Sequence, residues 1–338
     1  MRASALTDVG SIEVVERDRP EPADDEVLVE VGACGVCTTD YHMYHGSFRV
    51  ETPLVLGHES AGTIVESRAD GFEPGDRVAI NPTIPCNRCS YCKRGETHLC
   101  ENNTVIGGAG ETILDGSFAE YVRVPATNVE LIGDLPIRNA AFAEPLACAV
   151  HGVSRAGIEQ GDPVALIGAG PVGLLLVQVA RNRGAGPVIV SEPDDRRREL
   201  AEKLGADETI DPTAVEDTVE AITRVAGEVA VGIEAVGAVE TIQQAFDVTR
   251  NGGTTLIFGV PDQEATMELS PFDVYFTEVD LHGTYSLTQE DFERAVSLLR
   301  QERIEVESLI TAELGLDEIP DAFESMERNE GLKNLVVP

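Results

Sequence analysis

Four cysteines lie close together in one short segment of this sequence. The spacing Cys86-x2-Cys89-x2-Cys92-x7-Cys100 places four thiols among turn-forming residues, so the chain can wrap around one ion. Four thiolates satisfy the tetrahedral preference of zinc and leave no open position, which predicts a structural zinc site. An iron–sulfur cluster is the alternative that the same ligands allow.

A second group of potential metal ligands comes before this segment and after it. Cys37 lies near the N-terminus, and a Gly-His-Glu sequence places His58 beside Glu59. Glu144 follows later, within an Ala-Glu-Pro-Leu segment. Cysteine, histidine and carboxylate groups suit a catalytic zinc, because three protein ligands leave one position for a substrate.

A third motif predicts nucleotide binding. The segment Gly168-Ala169-Gly170-Pro171-Val172-Gly173 matches GxGxxG, follows a predicted strand and opens a predicted helix. The first glycine permits a tight turn, the second lets the backbone approach a pyrophosphate, and the third allows close packing of helix on strand. Free N–H groups at the start of the helix attract the phosphates.

The choice between NAD and NADP depends on the residues after the next strand. Glu192 lies 24 positions beyond Gly168, where a carboxylate accepts hydrogen bonds from the adenosine ribose, and this favours NAD. Arg197 is the central one of three consecutive arginines just past that strand, which are suited to a 2′-phosphate. These arginines are equally suited to a solvated helix face paired with neighbouring acidic residues, and NADP stays open as the alternative.

The elements that must position these residues change in character along the chain. The first 150 residues or so contain short apolar runs between turns, such as 27–31, 62–65 and 77–80, and are predicted to be β-rich. Beyond Gly161, strands and helices alternate, which predicts a doubly wound parallel sheet. The strands are expected at 164–167, 188–192, 229–234 and 254–259, and the helices at 171–183, 194–204, 215–225 and 239–250.

The end of the chain does not continue this alternation. Thr288 is predicted to cap a helix, a second helix is expected near 319–328, and 335–337 resembles a strand. We therefore expect the tail to return to the first domain. The uncharged run 163–180 is long enough to span a membrane, but its glycines and internal Pro171 favour a strand, a turn and a helix.

The charge of the chain limits its partners. Sixty acidic residues against 25 basic ones give a net charge of −35, and only three of the basic residues are lysines. Nucleic acids and anionic membranes need basic patches, so neither is an expected partner. Self-repulsion is screened at molar salt, where the Debye length is about 3 Å, and this favours a salt-rich cytoplasm. The chain begins without a secretory signal, and seven clustered cysteines indicate metal chemistry in the cytoplasm before disulfides.

Taken in order, these motifs resemble those of the zinc-dependent medium-chain alcohol dehydrogenases over nearly the whole chain. The segment Ala-Glu-Pro-Leu-Ala-Cys-Ala-Val-His from Ala143 is most similar to the polyol, or sorbitol-type, branch. The resemblance implies a GroES-like β-rich catalytic domain, residues 1–147 and 285–338, with the zinc lobe at 85–101. It also implies a Rossmann coenzyme domain, residues 148–284, and assembly into a homodimer or homotetramer.

The same resemblance implies roles for individual residues. Cys37, His58 and either Glu59 or Glu144 would bind the catalytic zinc, and these alternatives stay open. Thr39 matches the hydroxyl of the family's proton relay and His42 matches its imidazole. One departure concerns the substrate: Thr284-Tyr285 lies where polyol dehydrogenases commonly have Arg-Tyr, which weakens the case for sorbitol itself.

The expected reaction is NAD-linked oxidation of a secondary alcohol, a polyol or a sugar. Zinc lowers the pKa of bound water from about 15.7 to about 7, and a bound alcohol should be acidified similarly. The proton would leave through Thr39 and His42 while hydride passes to the nicotinamide. Threonine and glucose are alternative substrates, and a non-catalytic nucleotide sensor is the alternative class, which needs neither Cys37 nor His58.

Overall fold

The computed structural model describes residues 1–338 and divides into two compact units. The first unit comprises Met1–Ala147 and Leu287–Pro338, and the second comprises Cys148–Ser286. The boundaries expected from the sequence, after residues 147 and 284, lie within two residues of this division.

Strands and helices are numbered here in chain order. The strands are β1 (Arg2–Asp8), β2 (Ser11–Glu16), β3 (Glu26–Gly35), β4 (Leu54–Val55), β5 (Glu59–Ser67), β6 (Arg77–Ile80), β7 (Thr83–Ile84), β8 (Thr104–Ile106), β9 (Thr112–Leu114), β10 (Tyr121–Pro125), β11 (Val129–Leu131), β12 (Val164–Ile167), β13 (Val188–Ser191), β14 (Glu208–Ile210), β15 (Val229–Glu234), β16 (Thr249–Ile257), β17 (Asp280–Gly283), β18 (Ile310–Leu314) and β19 (Lys333–Val336). The α-helices are α1 (Thr38–Tyr44), α2 (Ile137–Ala140), α3 (Ala143–Ala156), α4 (Pro171–Arg183), α5 (Asp195–Lys203), α6 (Thr218–Ala226), α7 (Val239–Asp247), α8 (Pro271–Thr277), α9 (Gln289–Arg300) and α10 (Ile319–Glu327).

The first unit is β-rich, as the sequence predicts. Its largest sheet has the order β11-β6-β5-β3-β19-β18, with β10 also paired to β3, and a separate three-stranded sheet is formed by β7, β8 and β9. Apolar residues of β3 such as Val27 and Val29 are fully buried in its core. The last strand, β19, pairs antiparallel with β3, so the expectation that the tail returns to the first unit is confirmed.

The second unit contains one parallel sheet with the order β14-β13-β12-β15-β16-β17. Counted within the unit this is 3-2-1-4-5-6, the order of a doubly wound dinucleotide-binding fold, so the predicted fold class is confirmed. Strand β12, helix α4 and strand β15 have the predicted bounds. Strand β16 begins five residues earlier than expected because the chain pairs with β15 through an irregularity between Val229 and Val231.

Several helix ends differ from the sequence prediction for local reasons. Helix α6 begins at Thr218 rather than at residue 215, because the Asp217 side chain accepts the N–H of Glu220 and so caps the helix. Thr288 caps α9 as expected, in a capping box with Asp291. Helices α1, α2, α3 and α8 and strands β14, β17 and β18 had no predicted counterpart. No helix combines the length and apolarity needed to cross a membrane, and the uncharged run 163–180 forms β12, a turn and most of α4.

Candidate active site

Two neighbouring strand ends bring the first set of potential metal ligands together. Cys37 lies just after β3 and forms the N-cap of α1, whereas His58 lies just before β5, which begins at Glu59. The antiparallel pairing of β3 with β5 places Gly35 opposite Glu59. One ligand atom from each of Cys37, His58 and Glu59 lies within 4.8 Å of the others.

This donor set fits a catalytic zinc. A thiol, an imidazole and a carboxylate are zinc ligands, and three of them leave a fourth position open. His58 is buried, and its Nδ1 atom makes no hydrogen bond of normal geometry within the protein. Burial lowers the pKa of His58, but the charges of Asp40 and Cys37 outweigh burial and raise that pKa well above its ordinary value. The pocket is therefore suited to a cation.

Asp40 ties the two ligand-bearing segments to each other. Its side chain is fully buried; Oδ2 accepts the backbone N–H of Cys37 at 2.9 Å, and Oδ1 accepts that of Gly57 at 3.3 Å. Oδ1 also lies 3.4 Å from His58 Nδ1. A carboxylate paired with a ligating histidine orients the ring and raises its basicity. Asp40 was not predicted from the sequence, although its place three positions after Cys37 is that of a capping-box partner.

Glu59 has a second partner that the sequence analysis also missed. The Lys333 ammonium at the start of β19 donates to Glu59 Oε1 at 2.8 Å, to Oε2 at 2.7 Å, and to the carbonyl of Val36 at 3.1 Å. Burial lowers the pKa of Lys333, but the Glu59 charge outweighs it and the net pKa is raised, so the lysine stays charged. The only signal in the sequence was a lysine just before the apolar run 335–337 of a lysine-poor chain.

Glu144 is not among the three residues whose ligand atoms cluster within 4.8 Å. It lies in the first turn of α3, and its charge contributes to the raised pKa of Lys333. Glu144 therefore faces the same charged region as Glu59. Between the two carboxylates that the sequence left open, the structure places Glu59 beside Cys37 and His58.

Thr39 and His42 both lie on α1, three residues apart and hence on one face of the helix. Both side chains are half-buried. The His42 ring lies 5.2 Å from the ring of Phe48, measured between centroids. The helix thus carries a hydroxyl and an imidazole away from the N-cap residue Cys37 along one side.

The four-cysteine segment forms a compact lobe with its thiols turned towards each other. The sulfur of Cys89 lies 3.5 Å from that of Cys92 and 4.0 Å from that of Cys100, and all four ligand atoms lie within 4.8 Å. Backbone N–H groups of Cys92 and Glu101 lower the pKa of Cys89 to about 6, whereas burial raises that of Cys92 to about 12. Cys86 completes the set, and this quartet of thiols without a disulfide fits one tetrahedral zinc.

The nucleotide-binding motif lies at the turn between β12 and α4. Gly168 has φ +98°, Gly170 is the N-cap, and Pro171 begins the helix, followed by Val172. A Cβ atom on Gly173 would lie 2.1 Å from the carbonyl oxygen of Gly168, so only glycine lets the helix pack this closely on the turn. A Cβ atom on Gly170 would meet no atom within 4 Å, so the turn is open at the start of α4, where free N–H groups attract phosphates.

Glu192 follows β13 and is buried. Its Oε2 accepts the N–H of Ala169 at 2.7 Å and its Oε1 accepts that of Asp194 at 3.0 Å. Arg198 donates to the carbonyls of Glu192 and Pro193 and pairs with acidic neighbours. Arg197 lies in the first turn of α5, where its backbone N–H donates to the capping Asp194. The pairing of Arg198 with Asp195 agrees with the paired-helix interpretation, whereas its other partners lie outside α5 and its side chain is largely buried rather than solvated.

Comparison with known proteins agrees with these features. Residues 23–134 match the alcohol dehydrogenase GroES-like domain and residues 171–301 match the zinc-binding dehydrogenase family. A sorbitol dehydrogenase of Bacillus subtilis is 33% identical, covering 100% of this chain and 97% of the relative. An L-threonine 3-dehydrogenase of Pyrococcus horikoshii is 36% identical over 93% of this chain and 91% of the relative. A solved structure of a zinc-binding dehydrogenase of Sinorhizobium meliloti 1021, bound to NADP, is 41% identical in sequence and superposes with a TM-score of 0.95. The match covers 100% of this chain and 99% of that chain.

Proposed function

This chain belongs to the zinc-dependent medium-chain alcohol dehydrogenases, and from that membership we propose that it oxidises a secondary alcohol of a polyol or sugar with NAD. The observation that carries the proposal is the cluster of a thiol, an imidazole and a carboxylate at residues 37, 58 and 59. Zinc and NAD(P) are the cofactors of the family. The substrate class follows the sorbitol dehydrogenase to which the chain is similar along its whole length.

Two zinc ions have separate places in this proposal. Cys37, His58 and Glu59 hold the catalytic ion, with Glu144 as the further carboxylate facing the same region. Cys86, Cys89, Cys92 and Cys100 hold the structural ion. Because four thiolates fill a tetrahedral site, the second ion stabilises the lobe and takes no part in the reaction.

The residues around the catalytic site move the proton of the substrate. Bound zinc acidifies a hydroxyl, and bound NAD accepts hydride. The Thr39 hydroxyl, two residues after Cys37, accepts the substrate proton and passes its own to the ring of His42. His42 then releases a proton to water, because an imidazole exchanges protons near neutral pH. Asp40 holds the Cys37 and His58 segments in place while this happens.

The coenzyme binds at the turn formed by Gly168, Gly170 and Gly173, with Pro171 and Val172 at the start of the helix. Each oxygen of Glu192 accepts one backbone N–H and keeps a further lone pair for a ribose hydroxyl, which favours NAD. Arg197 is the side chain that would contact a 2′-phosphate. The NADP in the Sinorhizobium meliloti structure keeps NADP as the alternative coenzyme.

A second candidate substrate is an amino alcohol such as threonine. The relatives named L-threonine 3-dehydrogenase are 36% identical, slightly above the 33% of the sorbitol dehydrogenase. An aldose such as glucose is a further candidate within the same chemistry. A nucleotide sensor without catalysis would need only the turn at Gly168. Such a function does not explain why Cys37, His58 and Glu59 lie together.

The setting of the enzyme is part of the proposal. A net charge of −35 with only three lysines is suited to a cytoplasm of high salt, where self-repulsion is screened. Seven cysteines without a disulfide agree with a reducing compartment. A homodimer or homotetramer is expected, as in the family. Thermal stability that failed to rise between about 0.1 M and molar KCl would contradict the salt adaptation.

A substrate panel tests the reaction directly. Polyols, sugars and amino alcohols are assayed with NAD and with NADP in molar KCl, and a polyol with NAD should give the highest kcat/KM. Cys37→Ser should abolish turnover but leave NAD binding intact, whereas a sensor would be indifferent to this change. Cys148→Ser is the matched control, because Cys148 lies outside both ligand clusters. Failure of every alcohol in the panel would refute the proposal.

A further inference from the structure

The buried ion pair between Lys333 and Glu59 is unusual for this chain. Two of its three lysines, Lys93 and Lys203, are exposed, whereas Lys333 is 5% exposed and Glu59 is 2% exposed. Burying two charges is costly, and such a pair contributes little to stability compared with apolar residues of the same volume. A purpose beyond stability is therefore indicated.

The position of the pair connects it to the proposed zinc ligands. Glu59 follows the ligand His58 directly, and the carbonyl that Lys333 also binds belongs to Val36, the residue before the ligand Cys37. Strand β5 begins with Glu59, β19 begins with Lys333, and Val36 directly follows β3, which lies between these two strands in the sheet. The single ammonium group thus contacts both segments that carry the ligands.

Gly35 shows that the fold makes room for this contact. Gly35 lies opposite Glu59 in the pairing of β3 with β5, and opposite Leu335 in the pairing of β3 with β19. A Cβ atom on Gly35 would lie 2.1 Å from Oε2 of Glu59. The missing side chain lets the carboxylate fold over the middle strand and reach Lys333 with both oxygens.

From these contacts, and resting on the proposed zinc site, we infer that Lys333 is a positioning residue that competes with zinc for the Glu59 carboxylate. Both Glu59 oxygens bind the ammonium group, while the same carboxylate belongs to the ligand cluster with Cys37 and His58. The lysine therefore limits how closely Glu59 approaches the ion. The ammonium group keeps part of the negative charge of Glu59 away from the metal. The ion is then a stronger Lewis acid and would lower the pKa of a bound hydroxyl further.

Linkage gives the direction of the effect. Without Lys333, the buried Glu59 carboxylate has no cationic partner until zinc binds. Zinc binding then removes the cost of an unpaired buried charge, and this gain in free energy raises the zinc affinity. Lys333→Met should therefore bind the catalytic zinc more tightly, by about 5- to 150-fold, the range typical of a coupling free energy between two binding events. Lys333→Arg keeps the charge and should retain wild-type affinity.

The experiment measures zinc affinity by competition with a colorimetric chelator, using the Cys37→Ser variant to identify the signal from this site. Lys203→Met, which removes an exposed lysine, is the control and should change nothing. With cobalt in place of zinc, the visible bands of Lys333→Met should differ from those of wild type, and Lys333→Arg should keep the wild-type bands. Unchanged or weakened zinc affinity in Lys333→Met would overturn the inference.

A double-variant cycle separates competition for Glu59 from direct repulsion of the ion. In a Glu59→Gln background, Lys333→Met should change zinc affinity less than about twofold, because the contested carboxylate is gone. An effect that persists there would overturn the inference. The double variant removes both buried charges, so a persisting effect would overturn the inference even if Lys333→Met alone does not fold. If wild-type protein holds zinc only in the cysteine lobe, the proposed site itself fails, which is a different result.

Discussion

Replacing Asp40 by asparagine is the most direct test of how the catalytic site is built. The asparagine side chain would keep the shape of the aspartate but lose its charge, and one of the two acceptor oxygens would become an amide donor. The carboxylate accepts two backbone N–H groups, from Cys37 and Gly57, so at least one of them would lose its acceptor. A buried N–H without a partner costs about 1–3 kcal/mol of unfolding free energy.

The same substitution removes the charge that lies 3.4 Å from His58 Nδ1. Loss of such a carboxylate partner of a ligating histidine reduces metal affinity by about 10- to 100-fold. We therefore expect Asp40→Asn to lose the catalytic zinc to a chelator at concentrations that wild type resists. Its kcat/KM should fall when zinc is not in excess, while the zinc of the cysteine lobe stays bound.

Asp291→Asn is the matched control for this change. Asp291 is buried and occupies the same capping-box position on α9, with Thr288 as its partner, in the same unit of the protein. This variant should lose a comparable amount of stability and no zinc affinity. If Asp40→Asn kept zinc within about twofold of wild type, or if Asp291→Asn lost it equally, Asp40 would be only a helix cap.

Three further variants probe other parts of the molecule. Cys92→Ser should reduce bound zinc from two ions per chain to one and lower the Tm, as metal analysis and thermal unfolding would show; two retained ions would contradict the four-thiolate site. Gly173→Ala should raise the Kd for NAD by roughly 5- to 150-fold. A Cβ atom 2.1 Å from the Gly168 oxygen forces the turn to open, which costs about 1–3 kcal/mol of binding free energy. Equal NAD binding by the variant and wild type in a titration would refute this. Burial and the charge of Glu293 raise the pKa of Glu130, so its protonated form favours the fold and this contribution is lost as pH rises through the folded-state pKa. Glu130→Gln should therefore gain Tm over wild type at about pH 7 but not near pH 4, and an equal gain at both pH values would count against the raised pKa.

Much of the second unit followed from local patterns in the sequence. The strand at 164–167, the glycine-rich turn and the helix at 171–183 have the predicted bounds, because an apolar run, three glycines and a proline at the helix start act over only a few residues. The four thiols of the lobe are likewise close in sequence, so their spacing alone predicts that they meet at one metal site. Errors lay at element ends, where a cap such as Asp217 or an irregular strand pairing sets the boundary. Helices α3 and α8 and the two edge strands of the sheet, β14 and β17, were not predicted.

Local patterns in the sequence predicted only part of the catalytic site. Cys37, His58 and Glu59 could be named from their chemistry, but whether Glu59 or Glu144 joined them depended on which strands pair. Lys333 lies 274 residues from Glu59 and meets it only because β19 returns to pair with β3. No spacing rule reports a contact of that range, because only the folded sheet brings the two opposite charges together and excludes water from them.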